Sequence, residues 1–286
     1  MTPNKTNHTS VVRPDVFFIV TFLLSWSIWV PLDLSHFGIA FHIPEATSSI
    51  VRLLGVLMPA VSAILLTRIM GGRGATRGLW ARLVLWRVNW RWWMVAGLGQ
   101  PILLVVAALF TNLISDSKVT AEPLVPVSAF IVNVIMLLLA TLGEEIGWRG
   151  VALPSLQVQN GAIKSSIILG LLWGMWHIPF WLLLDTFDQF GIGYLGLNLL
   201  FVVPLTFYIT WFFNHSQQSL LLPVMLHLTF NIVNTILLPV TLNITAFLVF
   251  GVLEWIVMFF ILPHLEVQQS KELHPVSQQP QENIHA

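Results

Sequence analysis

Two adjacent glutamates, Glu144-Glu145, close the apolar run from Phe130 to Gly143, and Arg149 follows four residues after the second. Two later apolar segments each carry one histidine, in Trp173-Gly-Met-Trp-His177 and in His227-Leu-Thr-Phe-Asn231. Carboxylate, imidazole and amide together are the inventory for water-mediated hydrolysis of an acyl bond: a base that activates water and donors that stabilise an oxyanion. A charged residue at the centre of a membrane helix costs ~2.5–3.5 kcal/mol on insertion scales. A chain that carries such groups repeatedly in apolar runs has a use for them.

Helical spacing divides the labour. Glu145 and Arg149 are i,i+4 neighbours with the acid N-terminal, the favourable order for an ion pair. Glu144 points about 100° away from Glu145 and is left for a different environment, where it can serve as a base. His177 is followed by Pro179, and a proline kink opens room for water or substrate. Trp173, one turn earlier, walls the same face. His227 and Asn231 share one helix face, with Asn234 close to it. Each motif alone has an ordinary reading: a solvated helix end, a packing histidine, or hydrogen bonding between spans. Glu254 is a further acid inside an apolar run and is left as a structural or cavity residue.

The elements that must position these residues are membrane helices. The chain of 286 residues is 56% hydrophobic and only 9% charged, with a mean hydropathy of +0.80, where soluble domains carry about a quarter charged residues. Cysteine is absent, which excludes a disulfide framework and thiolate metal ligands. Apolar runs of spanning length fall near 15–32, 50–70, 92–113, 125–146, 162–184, 193–213, 219–239 and 243–264. The expectation is an all-α polytopic bundle of about eight transmembrane helices. Residues 1–267 form one integral membrane domain with a core near 125–240, and 268–286 form a polar, disordered cytoplasmic tail. The first run ends at Trp29-Val30-Pro31 without a small-residue cleavage site and is expected to be a retained helix.

Arg68, Arg73, Arg77, Arg82, Arg87 and Arg91 surround the connection between the second and third spans. Placing it in the cytoplasm puts Lys5, Arg13, Arg149, Lys164 and Lys271 there too, and leaves only Arg52 and Lys118 outside. Asp33, Glu45, Asp116, Glu122, Asp185 and Asp188 then collect on the outer side. Both termini are therefore expected in the cytoplasm. The stretch Arg77–Trp93, rich in arginine and tryptophan, reads as an interfacial connector rather than a nucleic-acid-binding segment.

The motifs, in order and spacing, resemble the CPBP family of intramembrane proteases (CAAX prenyl proteases of the second type and the Abi bacteriocin-processing group). That family shows EExxxR, FxxxH and HxxxN or HxxxD on successive helices, found here as Glu144-Glu145-x-x-x-Arg149, Trp173-x-x-x-His177 and His227-x-x-x-Asn231. Trp173 departs from the usual phenylalanine. The resemblance implies a multi-pass endopeptidase, expected in a bacterial cell membrane, that cuts a membrane-associated or lipidated peptide or protein at a site open to the cytoplasm. Glu144 and His177 would activate the water, His227 and Asn231 would stabilise the oxyanion, and Glu145 with Arg149 would orient the set. Metal-free glutamate catalysis is the reading taken. A divalent metal such as zinc is the other option, since Glu144, His177 and His227 could form a two-histidine, one-carboxylate site, although no H-E-x-x-H helix exists. The rival functions are a non-catalytic bacteriocin-immunity or scaffold protein of the same fold and a small-solute transporter, the latter disfavoured by the missing inverted repeat. One tension stands: counted from Lys164, His177 lies about 20 Å along its helix, while Glu144 is expected near the cytoplasmic end of the preceding one.

Overall fold

A computed structural model describes residues 12–36, 44–120, 126–182, 193–237 and 243–265. The tail expected at 268–286 and the outer aspartates Asp185 and Asp188 lie outside these residues. Among the described residues all regular structure is helical, as an apolar environment requires when every backbone group must be satisfied within the protein. The helices are α1 (Pro14–His36), α2 (Glu45–Leu83), α3 (Trp90–Ile114), α4 (Val127–Gly147), α5 (Leu153–Trp176), the short α6 (Ile178–Leu182), α7 (Gly193–His215), α8 (Leu221–Ile232) and α9 (Ile244–Ile261). A π-helical turn, Trp148–Ala152, joins α4 to α5, and a second, Val233–Leu237, extends α8.

Among the described residues, each run expected to span is largely helical, but the chain divides them differently. Six stretches among the described residues are long and apolar enough to cross a membrane: Pro14–Leu32, Thr47–Leu83, Trp90–Ile114, Ser128–Leu182, Gly193–His215 and Ile244–His264. The expected fourth and fifth spans are merged in the 55 residues Ser128–Leu182, and the apolar helix Leu221–Thr235 is shorter than the rest.

Two glycines reorient these long paths. Gly72 (φ 70°, ψ −163°) and Gly161 (φ 72°, ψ 175°) are the non-helical positions inside α2 and α5. Both lie in the left-handed region, which glycine enters without a Cβ clash. Gly72 turns α2 from its apolar part into the basic, tryptophan-rich segment read as an interfacial connector. That segment docks beneath α4 and α8: the Arg82 guanidinium donates to the carbonyl of Gly150, and the Leu220 amide donates to the carbonyl of Arg82.

Gly161 resolves the distance between Glu144 and His177. The helical path does not end near residue 146 but runs through the π turn to Asn160 before it bends. Glu144 lies seventeen residues before Gly161 and His177 sixteen after it, so an antiparallel return brings them level. Contacts across the two arms confirm that geometry. Trp148 meets Trp176 edge to face at 5.4 Å, and Trp173 reaches Glu144.

Each arm packs against an outer helix through a small-residue pair of its own. Gly143 and Gly147 lie against Val56, Leu57 and Pro59 of α2, and Gly170 and Gly174 against Val203 and Leu199 of α7. Both pairs are spaced i,i+4, the pattern that lets membrane helices approach closely. A Cβ on Gly147 would sit 2.4 Å from Pro59 Cβ and 2.7 Å from its carbonyl carbon. Gly147→Ala is therefore expected to destabilise the bundle by ~1–3 kcal/mol, read as a lower unfolding midpoint in detergent. Gly74→Ala, with nothing within 4 Å, should leave the midpoint unchanged or raise it.

Candidate active site

Glu144 and Glu145 occupy the last turn of α4, and both are buried, at 6% and 0% exposure. Arg149 follows in the π turn and is fully buried. The expected alternative of a solvated helix end therefore does not apply. A π turn adds one residue to the backbone ring and is common at functional sites. Here the pair still closes across the change of register, Arg149 Nη1 donating to Glu145 Oε1 at 2.9 Å.

The same oxygen accepts a second donor from a different helix. His227 Nδ1 lies 2.9 Å from Glu145 Oε1. The same oxygen already accepts from Arg149, so His227 donates from Nδ1 and its Nε2 is left for another partner. Glu145 thus ties α4 to α8 while fixing the tautomer of the histidine.

Glu144 faces the other arm. Its Oε2 accepts the indole N–H of Trp173 at 2.7 Å and lies 3.9 Å from His177 Nε2. The His177 ring is fixed by its own helix: Nδ1 is 2.9 Å from the carbonyl of Trp173. A carbonyl can only accept, so Nδ1 carries a proton and Nε2 is the basic nitrogen of the neutral ring. Trp181 stacks on that ring at 5.2 Å with an interplanar angle of 4°. Glu144 Oε2 and His177 Nε2 are too far apart for a direct hydrogen bond, at a separation that a bridging group about 2.8 Å from each would span.

Arg149 joins the two halves. Its Cζ lies 4.5 Å from the centroid of the Trp173 ring, a cation–π contact in a desolvated setting. His227 meets the same ring edge-on at 5.6 Å. Asn231, one turn beyond His227, makes a long contact from Nδ2 to Thr141 Oγ1 at 3.4 Å. Thr141 is one turn before Glu145 on α4, so Asn231 faces the same side of that helix. Asn234 lies in the following π turn. Glu254 belongs elsewhere, fully buried in α9 beside Gln100 of α3 and Tyr208 of α7.

A zinc ion fits this arrangement poorly. Among the described residues no three His, Cys, Asp or Glu side chains converge on one point. His227 is oriented by Glu145 rather than gathered with Glu144 and His177. The two residues that sequence reasoning undervalued are Trp173, read only as a wall, and Thr141. The signal for Trp173 was its indole N–H, which a buried tryptophan usually satisfies.

Residues 126–233 match the family model described as Type II CAAX prenyl endopeptidase, Rce1-like. Over those residues the chain is similar to that family. Beyond the core, the chain is 27% identical over 266 residues to CAAX prenyl protease 2 of Methanococcus maripaludis, covering 87% of this chain and 93% of the relative. The chain is a peptide hydrolase and a multi-pass membrane protein, and the matched residues span α4 through α8. The buried Glu145–Arg149 pair within those residues is open to direct measurement. Arg149→Met should cost ~3–5 kcal/mol in unfolding free energy, because it leaves the Glu145 charge buried without its partner. Adding Glu145→Gln should recover much of that loss in the same denaturation assay.

Proposed function

We propose that the protein hydrolyses a peptide bond of a membrane-anchored, prenylated substrate with a water held between Glu144 and His177. The observation that carries this reading is the 3.9 Å separation of Glu144 Oε2 and His177 Nε2. Both atoms are acceptors, so a water between them donates both its protons and turns a lone pair outward. On attack, the water oxygen bonds to the scissile carbonyl carbon and one of its protons passes to Glu144. Glu144 then delivers that proton to the departing amine nitrogen as the C–N bond breaks, leaving a carboxyl product and an amine.

The other half of the site suits the oxyanion. Glu145 holds His227 by Nδ1, which turns its Nε2 edge toward the oxyanion, and the Asn231 amide is the second group offered to it. Glu145 and Arg149 orient this histidine and do not touch the reacting bond.

The substrate class follows from the name of the Methanococcus relative, a CAAX prenyl protease, together with a site buried in a lipid-facing bundle. A CAAX sequence is a C-terminal motif whose cysteine takes the prenyl chain. We place both termini and the mouth of the site on the cytoplasmic face of a bacterial cell membrane, on the distribution of arginine and lysine.

Purified protein in lipid vesicles should cleave a CAAX-terminated peptide carrying a prenyl chain at least tenfold faster than the same peptide without it, read by mass spectrometry of the products. Cleavage should survive an excess of metal chelator. Failure to cut either peptide would remove the proposed substrate. Loss on chelation with recovery on adding zinc would overturn the metal-free chemistry.

A further inference from the structure

Trp173 touches four of the five charged or titratable groups of the site, Glu145 being the exception. Its indole N–H donates to Glu144 Oε2 at 2.7 Å, and its backbone carbonyl accepts His177 Nδ1 at 2.9 Å. Its ring carries Arg149 on one face, at 4.5 Å, and meets the edge of His227 at 5.6 Å. Only 2% of the residue is exposed. The N–H reaches the Glu144 oxygen that faces His177, and it comes from the helical turn that ends in His177. One residue therefore sets both partners of the shared water, one through its side chain and one through its backbone.

We propose that Trp173 is a positioning residue for hydrolysis, whose indole N–H fixes Glu144 Oε2 at the distance from His177 that admits one water. The proposal rests on the reading of Glu144 and His177 as the water-activating pair. A carboxylate at the end of three rotatable bonds has other favourable places to turn, above all toward the buried guanidinium of Arg149. Rotation that way would pair Glu144 with charge and withdraw it from His177. The indole donor opposes this, because a hydrogen bond to an ionised acceptor is among the strong ones. A phenyl ring here would keep the contacts with Arg149 and His227 and leave the backbone carbonyl for His177, yet supply no donor to Glu144.

The test separates the donor from the ring. Trp173→Phe removes the N–H, and benzothienylalanine at position 173 replaces it with sulfur while keeping the bicyclic shape. Both should lower kcat on the prenylated peptide by on the order of 10- to 100-fold, with KM changed less than about threefold. In parallel, the indole of Trp173 is followed by nitrogen-15 NMR of the full-length protein in micelles, assigned by its disappearance in Trp173→Phe. Its N–H proton should resonate downfield of the other tryptophans and move upfield in Glu144→Gln. Full kcat with benzothienylalanine, or a loss appearing in KM alone, would show that only the packing matters. An indole resonance indifferent to Glu144→Gln would overturn the contact itself, whatever the activity. A resonance that responds in a protein that cuts no peptide would keep the tether and overturn its catalytic purpose.

Discussion

A carboxylate buried in an apolar bundle must find its partners inside the protein, and Glu145 finds two on one oxygen. Arg149 reaches it across the π turn, and His227 reaches it from α8. Removing either donor leaves charge or dipole stranded where water cannot replace it. This node fixes α8 against α4, orients one histidine, and leaves Glu144 as the carboxylate of the pair without a charged hydrogen-bonding partner. The proposed division of the two adjacent acids into a structural and a reactive one rests on that single choice.

The rest of the architecture delivers the opposite arm to Glu144. Gly161 permits the bend that returns α5 alongside α4, and the two glycine pairs let α2 and α7 press on the outer faces of that hairpin. Glu144 and Glu145 fall between Gly143 and Gly147, while Trp173 falls between Gly170 and Gly174. The close-packed outer faces and the polar inner faces are thus parts of the same helical turns. Helix–helix approach and site geometry cannot be varied independently. Below them, the connector after Gly72 supplies Arg82 to the carbonyl of Gly150, so the π turn is supported from a third direction.

Hydropathy located the helices because apolar side chains must face lipid or one another, and the i,i+4 spacing of Glu145 and Arg149 announced their pairing. The depth of Glu144 was not legible. Glu144, Glu145 and Arg149 followed by Gln157, Gln159 and Asn160 end an apolar run, yet a helix needs hydrogen bonds rather than apolarity and continues through them. The π turn is a matter of backbone register with no side-chain signature. The Glu145–His227 bond joins residues 82 positions apart, which no local pattern reports. Trp173 was hidden differently, since a tryptophan in an apolar run reads as packing until its N–H is followed to an acceptor.

The central claim is that Glu144 and His177 together activate the hydrolytic water. The most direct measurement is the single-turnover rate of peptide cleavage by reconstituted Glu144→Gln and His177→Ala proteins, beside Glu254→Gln as a buried acid outside the site. The account predicts losses of on the order of 10²–10⁴-fold for each of the first two, substrate affinity largely kept, and a Glu254→Gln rate near that of the unaltered chain. A Glu144→Gln protein that cleaves within tenfold of the unaltered rate would contradict it.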